Sequence, residues 1–262
     1  MTQHVALVTG GSRGIGAAIV EELVTVGAAV IVAARGLQDC ERLCAQIEEA
    51  GGSARPLALD VADRSSLRAA RVRIEQLAGE LGPVDWLVNN AGIAISAPLL
   101  RGTTDSGEDL YERHLAVNFH GPRLLVEALL PGMLERGAGR ILAIASSAGL
   151  VGYPYVSAYC ASKHALLGFT RAAALEVGPK GVAFGAICPH YVDSPMLAAS
   201  IANVVAKTGK SEAEARAFFA SQNPGGALVQ PSEVAGVARQ WLESGPNGAV
   251  IELDGARQHL RQ

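Results

Sequence analysis

The sequence has little cysteine, little charge and no long apolar run, and each shortage excludes a class of protein. Four cysteines among 262 residues are too few and too irregularly placed for a disulfide scaffold. Lys and Arg number 22 against 25 Asp and Glu, with no block of like charge, so a nucleic-acid or anionic-membrane surface is not expected. The longest uncharged apolar stretches, such as residues 24–34, are shorter than the roughly 18 residues of a membrane-spanning helix.

Signal-peptide and metal-binding patterns are also missing. The first ten residues lack the charged region, the apolar region and the cleavage site of a signal peptide, so a cytoplasmic location is the default expectation. His114, His120 and His164 have no metal-ligand spacing with other ligand residues. Cys40 and Cys44 are one helical turn apart but lack further ligands. We therefore expect no metal site.

Apolar residues are abundant, at 49% of the chain, which is enough for a large core. Short apolar, β-branched runs alternate with longer segments of helical periodicity. Runs that are apolar along almost their whole length, such as residues 141–145, are typical of parallel strands covered on both faces. The pattern predicts an α/β fold with a doubly wound, seven-stranded parallel sheet flanked by helices. The predicted strands are residues 4–9, 28–33, 54–59, 86–89, 140–145, 182–187 and 249–253.

The chain shows no change of composition and no linker that would mark a domain boundary. Residues 1–262 are therefore expected to form a single domain. Residues 194–226 are longer than an ordinary connection between a strand and a helix, and they contain amphipathic sequence. We expect this segment to cover a site as a lid.

A glycine-rich turn follows the first predicted strand. Gly10, Gly14 and Gly16 are spaced G-x-x-x-G-x-G and precede a helical run over residues 17–26. Glycine permits a tight turn and lets backbone amides approach a pyrophosphate at the positive end of a helix. The strand before the turn and the helix after it make this a predicted dinucleotide site.

The second predicted strand ends in an arginine instead of an acid. An NAD site would have an acidic side chain here for the ribose hydroxyls, but the sequence has Arg35. Arg13 in the glycine turn adds a second guanidinium, and arginine can hold a ribose 2′-phosphate in a charge-assisted fork. NADP(H) is therefore favoured over NAD(H). NAD(H) stays an alternative, as does a merely solvated role for both arginines.

Tyr159 and Lys163 are four residues apart in a predicted helix over residues 156–177, so they share a face. A neighbouring ammonium lowers the pKa of a tyrosine, which would make Tyr159 a usable acid and base. Such a pair is common by chance, and taken alone it would be an exposed helix pair. Ser146 changes this, because it ends the fifth predicted strand, where sheets of this kind supply their sites.

Together these motifs resemble the short-chain dehydrogenases/reductases, and the resemblance covers nearly the whole chain. It implies a single Rossmann-like, NAD(P)-binding domain in which a hydride passes between the nicotinamide and a ketone or secondary alcohol. The matching segments, besides the glycine turn, are Asp60-Val61, Asn89-Asn90-Ala91-Gly92, Asn118, Ser146, Tyr159 to Lys163 and Pro189 to Ser194.

The resemblance also implies the role of each catalytic residue. Tyr159 would protonate the carbonyl oxygen, and Ser146, preferred to the serine that follows it, would hydrogen-bond that oxygen. Lys163 would bind the nicotinamide ribose and tune Tyr159. Asn118 would hold a water in a proton relay, with a buried structural amide as the alternative.

The implied cofactor site draws on most of these segments. Asp60 would bind the adenine amino group, Ile15 and Asn90 would line the cofactor, and Val192 and Ser194 would contact the carboxamide. The full implied set is Gly10, Ser12, Arg13, Gly14, Ile15, Gly16, Arg35, Asp60, Val61, Asn90, Ala91, Gly92, Tyr159, Lys163, Pro189, Val192 and Ser194.

His190 stands where the family has a glycine, which lets the backbone approach the nicotinamide. The histidine must adopt the same backbone angles or shift the loop, or it could face the substrate as an acid/base or donor. The candidate substrate wall, informative only as a group, is Ile93, Ile95, Leu150, Val151, Tyr153, Tyr155, His190, Met196, Leu197, Phe218 and Phe219.

Residues 32–36, 133–140 and 161–164 look similar to 3-oxoacyl-thioester reductases and polyketide ketoreductases, and the lid looks like that of 3-hydroxyacyl dehydrogenases. The leading hypothesis is an NADPH-dependent carbonyl reductase, reversible as an alcohol dehydrogenase, with a 3-oxoacyl or 3-hydroxyacyl substrate. A free small or aromatic ketone is the alternative, and a non-catalytic NADP-binding regulatory protein is a third reading. The resemblance further implies a homotetramer, with a dimer as the alternative.

Overall fold

A computed structural model describes residues 4–103, 107–255 and 257–261. The remaining positions of the predicted domain, residues 1–3, 104–106, 256 and 262, lie outside the described residues. The strands are β1 (Val5–Thr9), β2 (Ala29–Ala34), β3 (Ser53–Ala58), β4 (Trp86–Asn89), β5 (Gly139–Ile144), β6 (Val182–Pro189), β7 (Val250–Leu253) and β8 (Gln258–Arg261). The α-helices are α1 (Gly14–Thr25), α2 (Leu37–Glu49), α3 (Arg64–Leu81), α4 (Leu110–Leu115), α5 (Gly121–Arg136), α6 (Ser157–Val177), α7 (Pro195–Thr208), α8 (Glu212–Ser221) and α9 (Pro231–Ser244).

These strands form one sheet in the order β3-β2-β1-β4-β5-β6-β7-β8. The strands from β1 to β7 pair in parallel, which confirms the predicted fold class. The prediction of seven strands is corrected by β8, which pairs antiparallel with β7. Four residues with no apolar run give no strand signal in the sequence. The open edge of β7 supplies the hydrogen bonds that make them a strand.

Both faces of the sheet are covered, which explains the apolar strands. Ala6 and Val8 of β1 join a cluster with residues of α1, α2 and α9, whereas Val5 and Leu7 pack with residues of α3, α5 and α6. Because side chains alternate along a strand, the almost wholly buried strands β1, β2, β4, β5 and β6 bury both of their faces. Among the described helices, none is long and apolar enough to cross a membrane.

The site lies where the order of the sheet reverses. β1 has β2 on one side and β4 on the other, so the loops that leave the carboxyl ends of β1 and β4 diverge and open a crevice. The segment predicted as a lid contains α7 and α8, which share a small apolar cluster. A Cβ built on Gly14 would lie 3.1 Å from the Cδ of Pro195, so α7 begins beside the glycine turn.

Candidate active site

The glycine turn has a backbone that needs glycine. Gly10 and Gly14 have φ values of +61° and +56°, in the left-handed region that other residues avoid. A Cβ on Gly16 would lie 2.1 Å from the carbonyl oxygen of Gly10. Helix α1 begins at Gly14 with no side-chain cap, so its first amides remain available to a phosphate. This cradle fits the pyrophosphate of a dinucleotide.

Hydrogen bonds tie the glycine turn to the loop after β4. The Oγ1 of Thr9 accepts from the amides of Asn90 and Ala91, each at 3.0 Å. The Nδ2 of Asn90 donates to the carbonyl oxygens of Thr9 at 2.9 Å and of Gly10 at 3.2 Å. Asn90 therefore holds the turn from within. Thr9 was not predicted as a site residue, because a threonine at a strand end carries no signal of this contact.

The two arginines stand at the ends of neighbouring strands. β1 and β2 pair up to Thr9 and Ala33, and the amide of Gly11 donates to the carbonyl oxygen of Ala33 at 3.1 Å. Arg13 and Arg35 follow these strand ends, and both are exposed. Neither forms an ion pair with another residue in the described ranges. Two free guanidinium groups fit a 2′-phosphate.

The remaining predicted cofactor residues line the same edge of the sheet. The Oδ1 of Asp60, just beyond β3, accepts from the amide of Ala62 at 2.9 Å, and Val61 is buried. Ser194 is the N-cap of α7 and accepts from the amide of Leu197. The other members lie in the glycine turn, in the first turn of α1, at the end of β6 and in the loops after β4 and β6: Ser12, Ile15, Pro189, Gly92 and Val192.

Ser146 and Tyr159 meet at the end of β5. Ser146 begins a 3₁₀ turn, Ser147–Gly149, where its Oγ accepts from the amide of Ala148 at 3.1 Å. The Ser146 side chain also acts on Tyr159, since it partly lowers the pKa of the phenol. Ser147 instead accepts from the hydroxyl of Tyr153 at 2.9 Å. The serine beside Tyr159 is therefore Ser146, the one preferred from the sequence.

The pKa of Tyr159 differs from the expectation. Burial raises it to about 12, and the Ser146 side chain lowers it only in part. The expected lowering by Lys163 does not appear, because its Nζ donates to the carbonyl oxygen of Ile144 at 2.8 Å and lies 5.8 Å from the centre of the Tyr159 ring. At neutral pH, Tyr159 therefore carries its proton.

Lys163 is almost fully buried, with 4% of its surface exposed. Burial lowers the pKa of its ammonium to about 8, because a charge is disfavoured in a low-dielectric interior. Below that pH the group is still a cation. It can therefore supply a positive charge beside Tyr159.

The amide of Asn118 is held on all sides. Asn118 lies in a π turn, Ala116–His120, a rare element that often marks functional sites. Its Oδ1 accepts from the amide of Ile93 at 2.9 Å, and its Nδ2 donates to the carbonyl oxygen of Ile93 at 3.0 Å and to the Oγ of Ser162 at 2.9 Å. These bonds fix the loop after β4, as a structural amide would, and the role in a proton relay stays a prediction.

His190 does not face the substrate, which corrects that expectation. Its Nε2 lies 2.8 Å from the Oε1 of Glu252, and its side chain is 8% exposed. The amide of His190 donates to the carbonyl oxygen of Leu253, so β6 and β7 stay together past Pro189. Because Cys188 pairs with Glu252 in register and side chains alternate, residue 190 points towards Glu252 as well.

The predicted substrate wall divides into three parts. Leu150 packs on a core cluster with Leu166 and Leu167, so it belongs to the interior. Val151, Tyr155 and Met196 are exposed, as is Phe218, which places them on the outside of the site. The remaining members are half-buried, as Ile93, Ile95 and Tyr153 are, or buried in the apolar cluster of α7 and α8, as Leu197 and Phe219 are.

Tyr191 is a wall residue that sequence analysis missed. Its ring makes an edge contact with Tyr153, at 6.2 Å between centroids, and a tilted contact with Phe219 at 5.0 Å. Together these rings form an aromatic row from the 3₁₀ turn after β5 to helix α8. An aromatic residue next to an unusual histidine was the only signal available for it.

The chain matches known proteins along most of its length. Residues 4–204 match the family model of short chain dehydrogenases. A D-beta-hydroxybutyrate dehydrogenase of Cupriavidus necator is 34% identical over 95% of this chain and 96% of that protein. A 3-oxoacyl-[acyl-carrier-protein] reductase of Haemophilus influenzae is 34% identical over 86% of this chain and 93% of that protein. A solved variant of actinorhodin polyketide ketoreductase with NADPH has a TM-score of 0.88 at 33% identity, over 97% of this chain and 96% of that chain.

Proposed function

The chain belongs to the short-chain dehydrogenase/reductase family and is an NAD(P)-dependent oxidoreductase that acts on CH–OH and C=O groups, and we propose that it is an NADPH-dependent reductase of 3-oxoacyl compounds. In the reverse direction it would oxidise the 3-hydroxyacyl product. The observation that carries the catalytic part is the half-buried Tyr159, which is protonated at neutral pH and lies beside Ser146. The names of the relatives from Cupriavidus necator and Haemophilus influenzae support the substrate class.

The proposed reaction uses the side chains as the structure orients them. When bound, the nicotinamide supplies the hydride. The Tyr159 hydroxyl donates its proton to the carbonyl oxygen, and Ser146 hydrogen-bonds that oxygen. The Lys163 Nζ, 5.8 Å from the centre of the Tyr159 ring, would bind the nicotinamide ribose when the cofactor is present. A pKa of about 12 keeps the Tyr159 hydroxyl protonated at neutral pH, the state in which it can donate.

Cofactor choice depends, in this proposal, on Arg13 and Arg35. Their guanidinium groups are exposed at the ends of β1 and β2, and no acid stands at the end of β2. A charge-assisted hydrogen bond to a phosphate contributes about 1.5–3 kcal/mol. The NADPH used in the solved ketoreductase structure is in keeping with this preference.

We expect Arg35→Ala to lower kcat/KM for NADPH roughly tenfold, because one phosphate contact of that strength is lost, and to leave kcat/KM for NADH within about twofold. Steady-state kinetics with both cofactors measures the ratio. Arg73→Ala on the exposed side of α3 is the matched control and should change neither value. An unchanged ratio in Arg35→Ala would show that the arginine is only solvated.

The substrate class is tested with NADPH and a panel of carbonyl compounds: an acetoacetyl thioester, a free 3-oxo acid, a bulky cyclic ketone and an aryl ketone. We expect the thioester to have the highest kcat/KM and NADH to be the poorer reductant. Highest turnover on the free or aryl ketones would contradict the thioester assignment. No turnover on any compound, with NADPH still bound, would contradict the catalytic assignment.

The aromatic row favours a second candidate substrate. Tyr153, Tyr191 and Phe219 offer ring faces and edges between the catalytic serine and the lid, and aromatic pairs prefer these geometries. A planar or aromatic ketone without a carrier would stack against such a wall. In the panel, this candidate predicts that the aryl ketone is preferred.

A further inference from the structure

His114 is a fully buried histidine whose two ring nitrogens both have partners. On α4, it is 0% exposed. Its Nδ1 lies 2.6 Å from the carbonyl oxygen of Leu110, and its Nε2 lies 3.0 Å from the amide nitrogen of Ile95. A carbonyl oxygen only accepts and an amide only donates. The ring must therefore be neutral, with its hydrogen on Nδ1.

The Ile95 amide belongs to a loop held at three points. Asn118 binds the backbone of Ile93, His114 binds that of Ile95, and the amide of Ala97 donates to the carbonyl oxygen of Tyr155 at 2.8 Å. The loop continues directly from the residues after β4 that bind the glycine turn. Its position therefore affects the crevice and the wall beside the reacting carbonyl.

The His114 ring also touches the proton donor. It meets the Tyr159 ring edge-on, with 6.3 Å between centroids and an angle of 68° between planes. One imidazole thus contacts Tyr159 through its ring edge and the loop through Nε2. At this position on α4 an apolar side chain could contact the Tyr159 ring, but it would leave the Ile95 amide without this acceptor. A histidine makes both contacts.

We propose that His114 is a positioning residue for the carbonyl reduction: its neutral imidazole holds residues 93–97 beside Tyr159, and protonation of Nε2 releases that loop. The inference rests on the proposed function, since it concerns the same site. Protonation would set an N–H against the Ile95 N–H, so that the hydrogen bond is lost and replaced by repulsion.

The charges around His114 agree with a neutral ring. Burial lowers its pKa, the Leu110 carbonyl raises it in part, and Arg113 on the same helix lowers it further. Tyr159 faces it from α6, and residues 93–97 bring no titratable side chain. His120, in the π turn, packs on Phe119 instead.

The sign of the pH effect follows from the lowered pKa. A histidine in an unfolded chain has a pKa of about 6.5, and that of folded His114 is lower. Folding therefore keeps the ring neutral, and this contribution to stability is complete above about pH 6.5. It decreases below that pH and is lost as the pH falls through the folded pKa. We expect an acid limb in kcat/KM for the ketone in the same range.

Two amide substitutions separate the two ring contacts. In His114→Gln, the new side-chain amide reaches as far as Nε2 did, its oxygen can accept from the backbone amide of Ile95, and it does not titrate. The amide of His114→Asn is placed like Nδ1, can donate to the Leu110 carbonyl and is too short to reach Ile95. We expect His114→Asn to raise the KM for the ketone about tenfold, the effect of one lost hydrogen bond, with NADPH affinity within about twofold.

His114→Gln should keep its neutral-pH kcat/KM within about threefold, since the bond to Ile95 is conserved, and should lose the acid limb. A purely structural role would not move the pH profile in this way. An acid limb in His114→Gln like that of the wild type would overturn the proposal, and this comparison decides the matter even where His114→Asn does not fold.

Hydrogen exchange of the Ile95 amide, followed by NMR, tests the contact without turnover. We expect slow exchange in the wild type and in His114→Gln at neutral pH, and fast exchange in His114→Asn and in the wild type at low pH. Equal exchange in wild type and His114→Asn would overturn the positioning role. If the exchange rates of the variants differ as expected while no ketone is reduced, the proposed function is wrong, but the hydrogen bond between His114 and the Ile95 amide is confirmed.

Discussion

Tyr159→Phe should lower kcat for carbonyl reduction by roughly 100- to 10,000-fold, the contribution of a positioned general acid, while NADPH binds as before. The substitution removes only the hydroxyl that lies beside Ser146 and keeps the ring that contacts His114. The loss of NADPH absorbance measures turnover, and the quenching of protein fluorescence measures cofactor affinity.

Tyr155→Phe is the matched control, because it deletes the same hydroxyl from an exposed tyrosine four residues away. It should leave kcat within about twofold, as surface changes usually do. A Tyr159→Phe enzyme that retained more than a tenth of the wild-type kcat would show that another group donates the proton. Equal loss of NADPH binding in Tyr159→Phe would assign the residue to the cofactor site alone.

Gly16→Ala should weaken NADPH binding by about 100-fold, at the upper end of the cost of overpacking. The added Cβ would stand 2.1 Å from the carbonyl oxygen of Gly10 and 2.6 Å from the Nδ2 of Asn90. The first of these is a backbone atom, so no rotamer change relieves the contact. The glycine turn must move, and its amides would leave the pyrophosphate. Fluorescence titration with NADPH measures the effect.

Gly79→Ala makes the same chemical change in the interior of α3, where an added Cβ would meet nothing within 4 Å. It should leave NADPH affinity unchanged and stabilise the protein by about 0.4–1 kcal/mol, as read from thermal unfolding. A folded Gly16→Ala protein that binds NADPH like the wild type would mean that the turn does not hold the cofactor.

The strands of the fold that are buried were predictable, because a buried strand appears in the sequence as an apolar run. Strands β1, β2, β4, β5 and β6 are buried along almost their whole length, so each leaves a run such as Ile141 to Ile144. β8 leaves no such run, because its pairing depends on the edge of β7 and not on its own side chains. The local hydrophobic pattern therefore predicts a buried strand, but it does not predict a strand that forms only by pairing with the edge of the sheet.

The catalytic residues were predictable where reactive side chains stand at informative positions in the sequence. Ser146, Tyr159 and Lys163 come from one strand end and one helix face, which the sequence shows directly. The pKa of Tyr159 was not predictable in direction, because it depends on burial by residues far away in the chain. The contacts of His190 and His114 were not predictable for a similar reason: their partners, Glu252 and the Ile95 amide, are brought in only by tertiary structure.

The segment over residues 194–226 has an apolar cluster of its own, which separates the residues that select the substrate from those that catalyse the reaction. Leu197, Ile201, Ala215 and Phe219 pack with one another and with Tyr191, apart from the two clusters on the faces of the sheet. Their packing demands are thus satisfied largely within the segment. Substitutions in α7 and α8 can therefore change the substrate that binds without moving the residues that take part in hydride and proton transfer. Substrate selectivity and catalysis can thus evolve separately.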